Sequence, residues 1–407
     1  MSDEMNNGIN QLKLQNYKNS TEIVSGLTME DVVKACLISK LNIFIVGETG
    51  EGKTQLENDI LGLFGNKGFF EQGRNDLTVR EMFTRLNLEK LRSAKTTEDV
   101  KELTEHVRHP VYVVDEMTRC IPAVQNQFFN LFDGFITVDG TKYSLGRDGF
   151  SIGIASGNIG NGKYVGTSET DRALRDRMHF IIDGDYFPKT SNDTLDVLAG
   201  KKDPRVSNAQ PTDKTELMLK LHKQFTAQSQ PTLDQYTAAL YLVHGLEMWK
   251  DNAGVWQSKR KNKNIWPGCV QGHEKGSDAA LIFPFSTRSA ISALALAQAL
   301  QYVKKAKNDE YASGIDAVFD AAYLIGAQSG VLHPSAVDSH YNSNPYDAMS
   351  AVVDGIRSEF AQKQEVMDKA VLMASKGQLA CTDEFTGRWE YMKDILERTA
   401  REVKAKK

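Results

Sequence analysis

The chain has 407 residues, a net charge of -4, 25% charged and 41% hydrophobic residues. That length points to two domains, and the near-neutral balance excludes a nucleic-acid coat or an acidic tail. The four cysteines, Cys36, Cys120, Cys269 and Cys381, are too scattered for a disulfide framework. They fit a reducing, cytoplasmic setting, and the polar N-terminus carries no apolar core of a signal peptide. No apolar run approaches the ~18 residues that a membrane span needs.

Residues 1–20 are rich in Asn, Gln, Ser and Lys and are expected to form a mobile arm. Thr28, with Asp31 three residues on, opens a helix that continues to Lys40. The apolar run Leu41 to Val46 reads as a buried strand. It leads into Gly47-Glu48-Thr49-Gly50-Glu51-Gly52-Lys53-Thr54, a full G-x-x-x-x-G-K-[ST] pattern. Gln55 to Phe64 follows with helical spacing of Leu56, Ile60 and Leu63. Strand, glycine loop and helix together make a phosphate cradle. The loop N–H groups turn inward and the helix N-terminus adds partial positive charge. Lys53 would reach the β- and γ-phosphates of ATP, and the Thr54 hydroxyl would ligate Mg²⁺.

A second strand is expected around Gly68 to Phe70, then a segment from Asp76 to Leu91 and a helix-prone one from Thr97 to Val107. Val111 to Val114 followed by Asp115 and Glu116 reads as a central strand with acids at its carboxyl end, the ligand-binding edge of a parallel sheet. Asp115 would hold Mg²⁺ through water and Glu116 would polarise the attacking water. Arg119 to Phe132 reads as one helix. Asp139-Gly140 between two β-rich arms predicts a hairpin over Phe135 to Leu145. Ser151 to Ser156 is a third central strand that places Asn158 level with the acids. His179 to Ile182 is the last short strand. Strand–helix alternation predicts a parallel α/β sheet covered by helices.

From Pro188 to residue 213 the texture is that of a linker. Helices are expected over Glu216 to Phe225, Leu233 to Trp249, Arg288 to Lys305 and Ile315 to Ala327, interrupted by a basic segment at 251–284. Phe385, Trp389, Met392 and Leu396 form an apolar stripe in the tail. Lys259-Arg260-Lys261-Asn262-Lys263 lies between Trp256 and Trp266 and could touch single-stranded nucleic acid; a solvated loop is the preferred alternative. Cys269 and His273 have no second ligand pair nearby.

In order along the chain, these motifs resemble the MoxR-type branch of the AAA+ ATPases, related to the cobaltochelatase ATPase subunit and to CbbQ and NorQ proteins. The resemblance rests on the phosphate loop, Val113 to Arg119, Pro122-x-Val124-Gln125, the Thr137–Gly140 hairpin, Ala155 to Asn158, Gly166 to Arg177, and Ser286 to Ala290. Met178 stands where the family has an aromatic, and Arg172 where many members have Glu. The resemblance implies an AAA+ P-loop fold at 21–187, a linker at 188–213, a small all-helical lid at 214–330 and an extension at 331–407. It also implies Mg²⁺-dependent ATP hydrolysis in a homo-oligomeric, hexameric ring that remodels a partner, with a von Willebrand factor A domain protein as one such partner. Asn158 would orient water. Arg177, with Arg175 as the alternative, would reach a neighbour's γ-phosphate; the bland reading of both is a surface ion pair. Arg288 would contact phosphate from the lid, and Arg119 would sense nucleotide or brace an interface. A motor acting on nucleic acid is the alternative function.

Overall fold

The computed structural model describes residues 3–65, 67–77, 82–86, 101–158, 172–200, 203, 205–207, 210–251, 253–261 and 281–405. The chain divides into two compact units, Met1–Gln230 with Ala299–Glu310, and Pro231–Gln298 with Tyr311–Lys407.

The first unit begins with the helix Asp3–Asn10. Its strands are β1 (Glu22–Val24), β2 (Leu27–Thr28), β3 (Ile43–Val46), β4 (Phe69–Gln72), β5 (Thr84–Leu86), β6 (Lys101–Leu103), β7 (Val111–Asp115), β8 (Phe135–Val138), β9 (Thr141–Ser144), β10 (Ile152–Gly157) and β11 (Phe180–Asp183). Five of them form a parallel sheet in the order β11-β3-β10-β7-β4. Every residue of β3, β7 and β10 is buried, as the continuous apolar runs demand of strands covered on both faces. The register sets Val46 opposite Gly157 and Asp183, and Asp115 opposite Gln72. The carboxyl ends of all five strands therefore form one edge.

The N-terminal arm differs from expectation. Met5, Ile9 and Leu12 are fully or almost fully buried. Their three-to-four-residue spacing is an apolar face that the polar composition masks. Beyond the helix, the amides of Asn16 and Tyr17 donate to the Asp59 carboxylate at 2.6 and 2.8 Å. Asn19 and Ser20 bond to Phe187 and Asp193. The expected linker also contains a helix, Ser191–Gly200.

Other elements are corrected by local chemistry. The helix-prone stretch before β7 instead carries β6, paired antiparallel with β5, and a 3₁₀ turn at Glu105–Arg108. The single helix expected over 119–132 is broken into Met117–Arg119, Pro122–Gln125 and Phe128–Phe132. Pro122 forces Ile121 into the extended region, with ψ 155°, so no helix can pass through it. The hairpin forms as expected, with Asp139 and Gly140 both at positive φ (49° and 78°). The Thr28–Asp31 capping box is present.

In the second unit the helix expected over 233–249 ends early. Leu233–Leu240 passes into a π-helical turn, Tyr241–Gly245, and then into β12 (Met248–Lys250), paired with β13 (Trp256–Ser258). Helices follow at Thr287–Ala306, whose last turns belong to the first unit, and at Gly314–Gly326, Pro334–Tyr341, Pro345–Ala374 and Tyr391–Ala405. The tail stripe Phe385, Trp389, Met392 and Leu396 is buried. Among the described residues no helix is long and apolar enough to cross a membrane.

Candidate active site

The phosphate loop spans the turn between β3 and the helix Lys53–Leu63. Gly50 and Gly52 sit at φ 95° and 86°, backbone that a side chain would strain. Glu48, Thr49 and Gly50 are exposed and Glu51 partly so, which leaves the concave backbone open. Lys53 folds back on its own loop, donating to the carbonyls of Gly47 and Glu48 at 2.7 Å each. Burial pulls its ammonium below the usual range, while Asp185, Asp115, Glu116 and Glu57 act in the opposite direction. The Glu48 amide donates to Asp185 at 2.8 Å, so a carboxylate from beyond β11 braces the loop entrance.

The acids of β7 meet this loop. Ser156, fully buried on β10, donates its hydroxyl to Asp115 at 2.6 Å and accepts the Glu116 amide at 3.0 Å. The Thr54 hydroxyl lies 3.3–3.4 Å from both Asp115 oxygens. Thr54, Asp115 and Ser156 thus offer a cluster of hard oxygens, the donor type that suits Mg²⁺. Glu116 takes a left-handed backbone (φ 54°), which turns its side chain away from the path of the strand. Its carboxylate receives Arg119 at 2.6 Å and the Gln72 amide at 3.0 Å. Thr118 holds the Asn158 amide at 3.1 Å, and the buried Asn158 Oδ1 has no hydrogen-bond partner among the described residues.

The expected arginines lie elsewhere. Arg177 pairs with Asp133 at 2.9 Å and stacks over Phe129 at 4.8 Å. Asn42 fixes its backbone by donating to the Arg177 carbonyl at 2.9 Å while also bonding Phe132 and Gly153. Arg175 is half-buried on the same short helix. Arg288 belongs to the second unit, on the first turn of Thr287–Ala306, where Ser286 caps the Ser289 amide at 2.9 Å. Residues 166–171, and the side chain of Arg172, lie outside the described part of the chain, as do residues 262–280 with Trp266, Cys269 and His273. Of the described part of the basic segment, Arg260 and Lys261 are exposed, as a solvated loop requires, and Lys259 is the exception. Lys259 is buried and donates to the Ile282 carbonyl at 2.8 Å, and Arg260 pairs with Glu247 at 2.8 Å.

Sequence reasoning missed Gln72, Ser156, Asp185 and Glu57. Glu57 is the residue of greatest consequence. It is fully buried, and neither carboxyl oxygen has a hydrogen-bond partner among the described residues. Burial raises its carboxyl well above the usual range, and the neighbouring Asp115 raises it further. The signal was present, because Glu57 falls on the same helical face as Leu56, Ile60 and Phe64.

The profile of the AAA domain family, dynein-related subfamily, matches residues 42–178. The chain is an ATPase with a parallel α/β sheet followed by a helical region. A putative ATPase from Cytophaga hutchinsonii has a similar fold, with a TM-score of 0.56 at 16% identity over 86% of this chain and 93% of that one. No curated protein matches the chain.

Proposed function

We propose that this ATPase is a MoxR-type AAA+ protein that works in the cytoplasm as a hexameric ring. Its Mg²⁺-dependent hydrolysis of ATP drives the remodelling of a partner protein, a von Willebrand factor A domain protein being the class the resemblance implies. The observation that carries this reading is the convergence of Lys53, Thr54, Asp115, Ser156 and Glu116 at one end of the sheet. Lys53 would exchange its two loop carbonyls for the β- and γ-phosphate oxygens. Thr54 and Asp115 would hold the cation, which would neutralise charge developing on the phosphates. Glu116, once its carboxylate leaves Arg119, would take the proton of the attacking water. Asn158 would orient that water, and Arg288 would touch phosphate from the helical unit.

Arg177 would complete the site of the next subunit, leaving Asp133 to do so, with Arg175 as the alternative finger; such fingers are worth ~10³–10⁵ in rate. Subunit mixing tests this scheme. Arg177→Ala and Glu116→Gln should each hydrolyse ATP poorly, yet after exchange some interfaces would pair an intact Glu116 with an intact Arg177. The expected result is a mixed ATPase rate above the weighted average of the two pure variants. A rate that never exceeds that average, with exchange confirmed and ring size checked by light scattering, returns Arg177 to its ion pair with Asp133.

A further inference from the structure

The hydrolytic scheme makes no use of Glu57, although Glu57 sits against its centre. It lies one turn beyond Lys53 on the helix Lys53–Leu63, with no exposed surface. Asp115 and Ser156 are its polar neighbours, close enough to act on its carboxyl, yet neither oxygen is hydrogen-bonded among the described residues. Asp115 is already engaged by Ser156 and faced by Thr54. Two carboxylates side by side in a dry interior repel one another, and an orphaned buried carboxyl is costly to the fold. Lys53 does not supply a donor, since its ammonium is held by the carbonyls of Gly47 and Glu48. What suits two adjacent carboxylates and two hydroxyls is a hydrated divalent cation, which keeps several of its waters and presents their protons outward.

We propose that Glu57 is a second carboxylate of the divalent-cation site, facing Asp115 and binding the water shell of the ion when nucleotide and metal are seated. The proposal rests on the nucleotide–metal reading above. It gives Glu57 a cost in the empty protein that is recovered in the loaded one. A purely structural Glu57 would have the opposite signature, with its loss weakening the fold and leaving the metal untouched.

The test uses the full-length protein with ADP, and Mn²⁺ as a spectroscopic probe followed by electron paramagnetic resonance. Two variants are compared, Glu57→Leu, which fills the space with apolar atoms, and Glu57→Gln, which keeps the shape. Without nucleotide and metal, Glu57→Leu should melt above the wild type. In the ADP complexes Mn²⁺ affinity should fall about 10–100-fold in both variants, the usual effect of losing a group that holds a metal's outer shell. Affinity for ADP in chelator should stay at the wild-type value. Unchanged Mn²⁺ affinity in Glu57→Gln overturns the proposal, whether or not Glu57→Leu folds. A lower melting point for Glu57→Leu with intact Mn²⁺ affinity overturns it as well and makes Glu57 structural. If the wild-type ADP complex takes up no Mn²⁺, the metal reading of the whole site fails, a result distinct from a failure of Glu57 alone.

Discussion

Two polar clusters, one in each unit, treat their acidic groups in opposite ways. In the second unit, Glu359 accepts from the Tyr241 hydroxyl at 2.5 Å and from Arg388 at 2.7 Å, and Arg388 also donates to the Met248 carbonyl at 3.1 Å. Trp256 closes against Gly387, where an added Cβ would lie 2.1 Å from the ring. Tyr391 donates to the Thr237 carbonyl at 3.0 Å. Every charged group there has its partner, and the tail is locked to the β12–β13 hairpin. At the sheet edge of the first unit, Glu57 and the Asn158 side-chain oxygen have no hydrogen-bond partner among the described residues. A satisfied network fixes a fold, whereas an unsatisfied one marks where a ligand's groups are to come.

Loss of the phosphate-loop cation should break the active edge most severely. Lys53→Ala should lose ATP affinity and all turnover while keeping its circular dichroism spectrum, since among the described residues Lys53 bonds its own loop. Wild-type turnover in that variant would mean that phosphate is bound elsewhere.

Breaking the satisfied cluster should instead cost stability. Arg388→Met would leave the Glu359 carboxylate and the Met248 carbonyl without this donor, a loss of about 2–3 kcal/mol given that Glu359 retains partial exposure. Thermal unfolding of the variant should show a lowered transition, with ATP affinity unchanged. An unaltered transition would show that the tail does not anchor the second unit.

How much of this was legible follows from the range of each interaction. The phosphate loop, the Asp115–Glu116 pair and the Asp139-Gly140 turn were readable because their chemistry is written in consecutive residues. The break at Pro122 was readable in principle, but the apolar spacing of Val124, Phe128, Leu131 and Phe132 outweighed it. Glu57 was passed over because the helix was assigned by its apolar stripe, and only the β7 and β10 strands behind it make the charge unusual. Ser156 and Asp115 are brought together by parallel pairing across 41 residues of sequence, and Arg388 reaches Glu359 across 29. No periodicity reports such contacts. The burial of Met5, Ile9 and Leu12 was spaced for a helix, yet a surrounding run of Asn and Gln hid it.

A smaller effect separates the two kinds of cluster by pH. Burial alone would raise the Asp31 carboxyl, but Lys307 at 2.7 Å and the Thr28 amide outweigh it and hold it below the usual range. A carboxyl lowered in the folded state adds stability above its unfolded value of about 3.9, and that stability is lost as pH falls through the lower folded value. Lys307 is partly exposed and screened, so Lys307→Met should cost less than about 2 kcal/mol at pH 7. The difference from wild type should shrink in acid, as pH falls through the lowered folded value and Asp31 protonates. A difference equal at neutral pH and in acid would assign the loss to packing of the lysine stem.

The most direct measurement of the central claim is the separation of ATP binding from turnover in Glu116→Gln. The amide keeps the shape of Glu116 and its contact with Gln72, but it cannot take a proton. Steady-state hydrolysis should fall by ~10²–10⁴ while the dissociation constant for ATP stays near the wild-type value. Turnover retained at the wild-type rate, or binding lost in the same proportion as turnover, would contradict the assignment of Glu116 as the base of this ATPase.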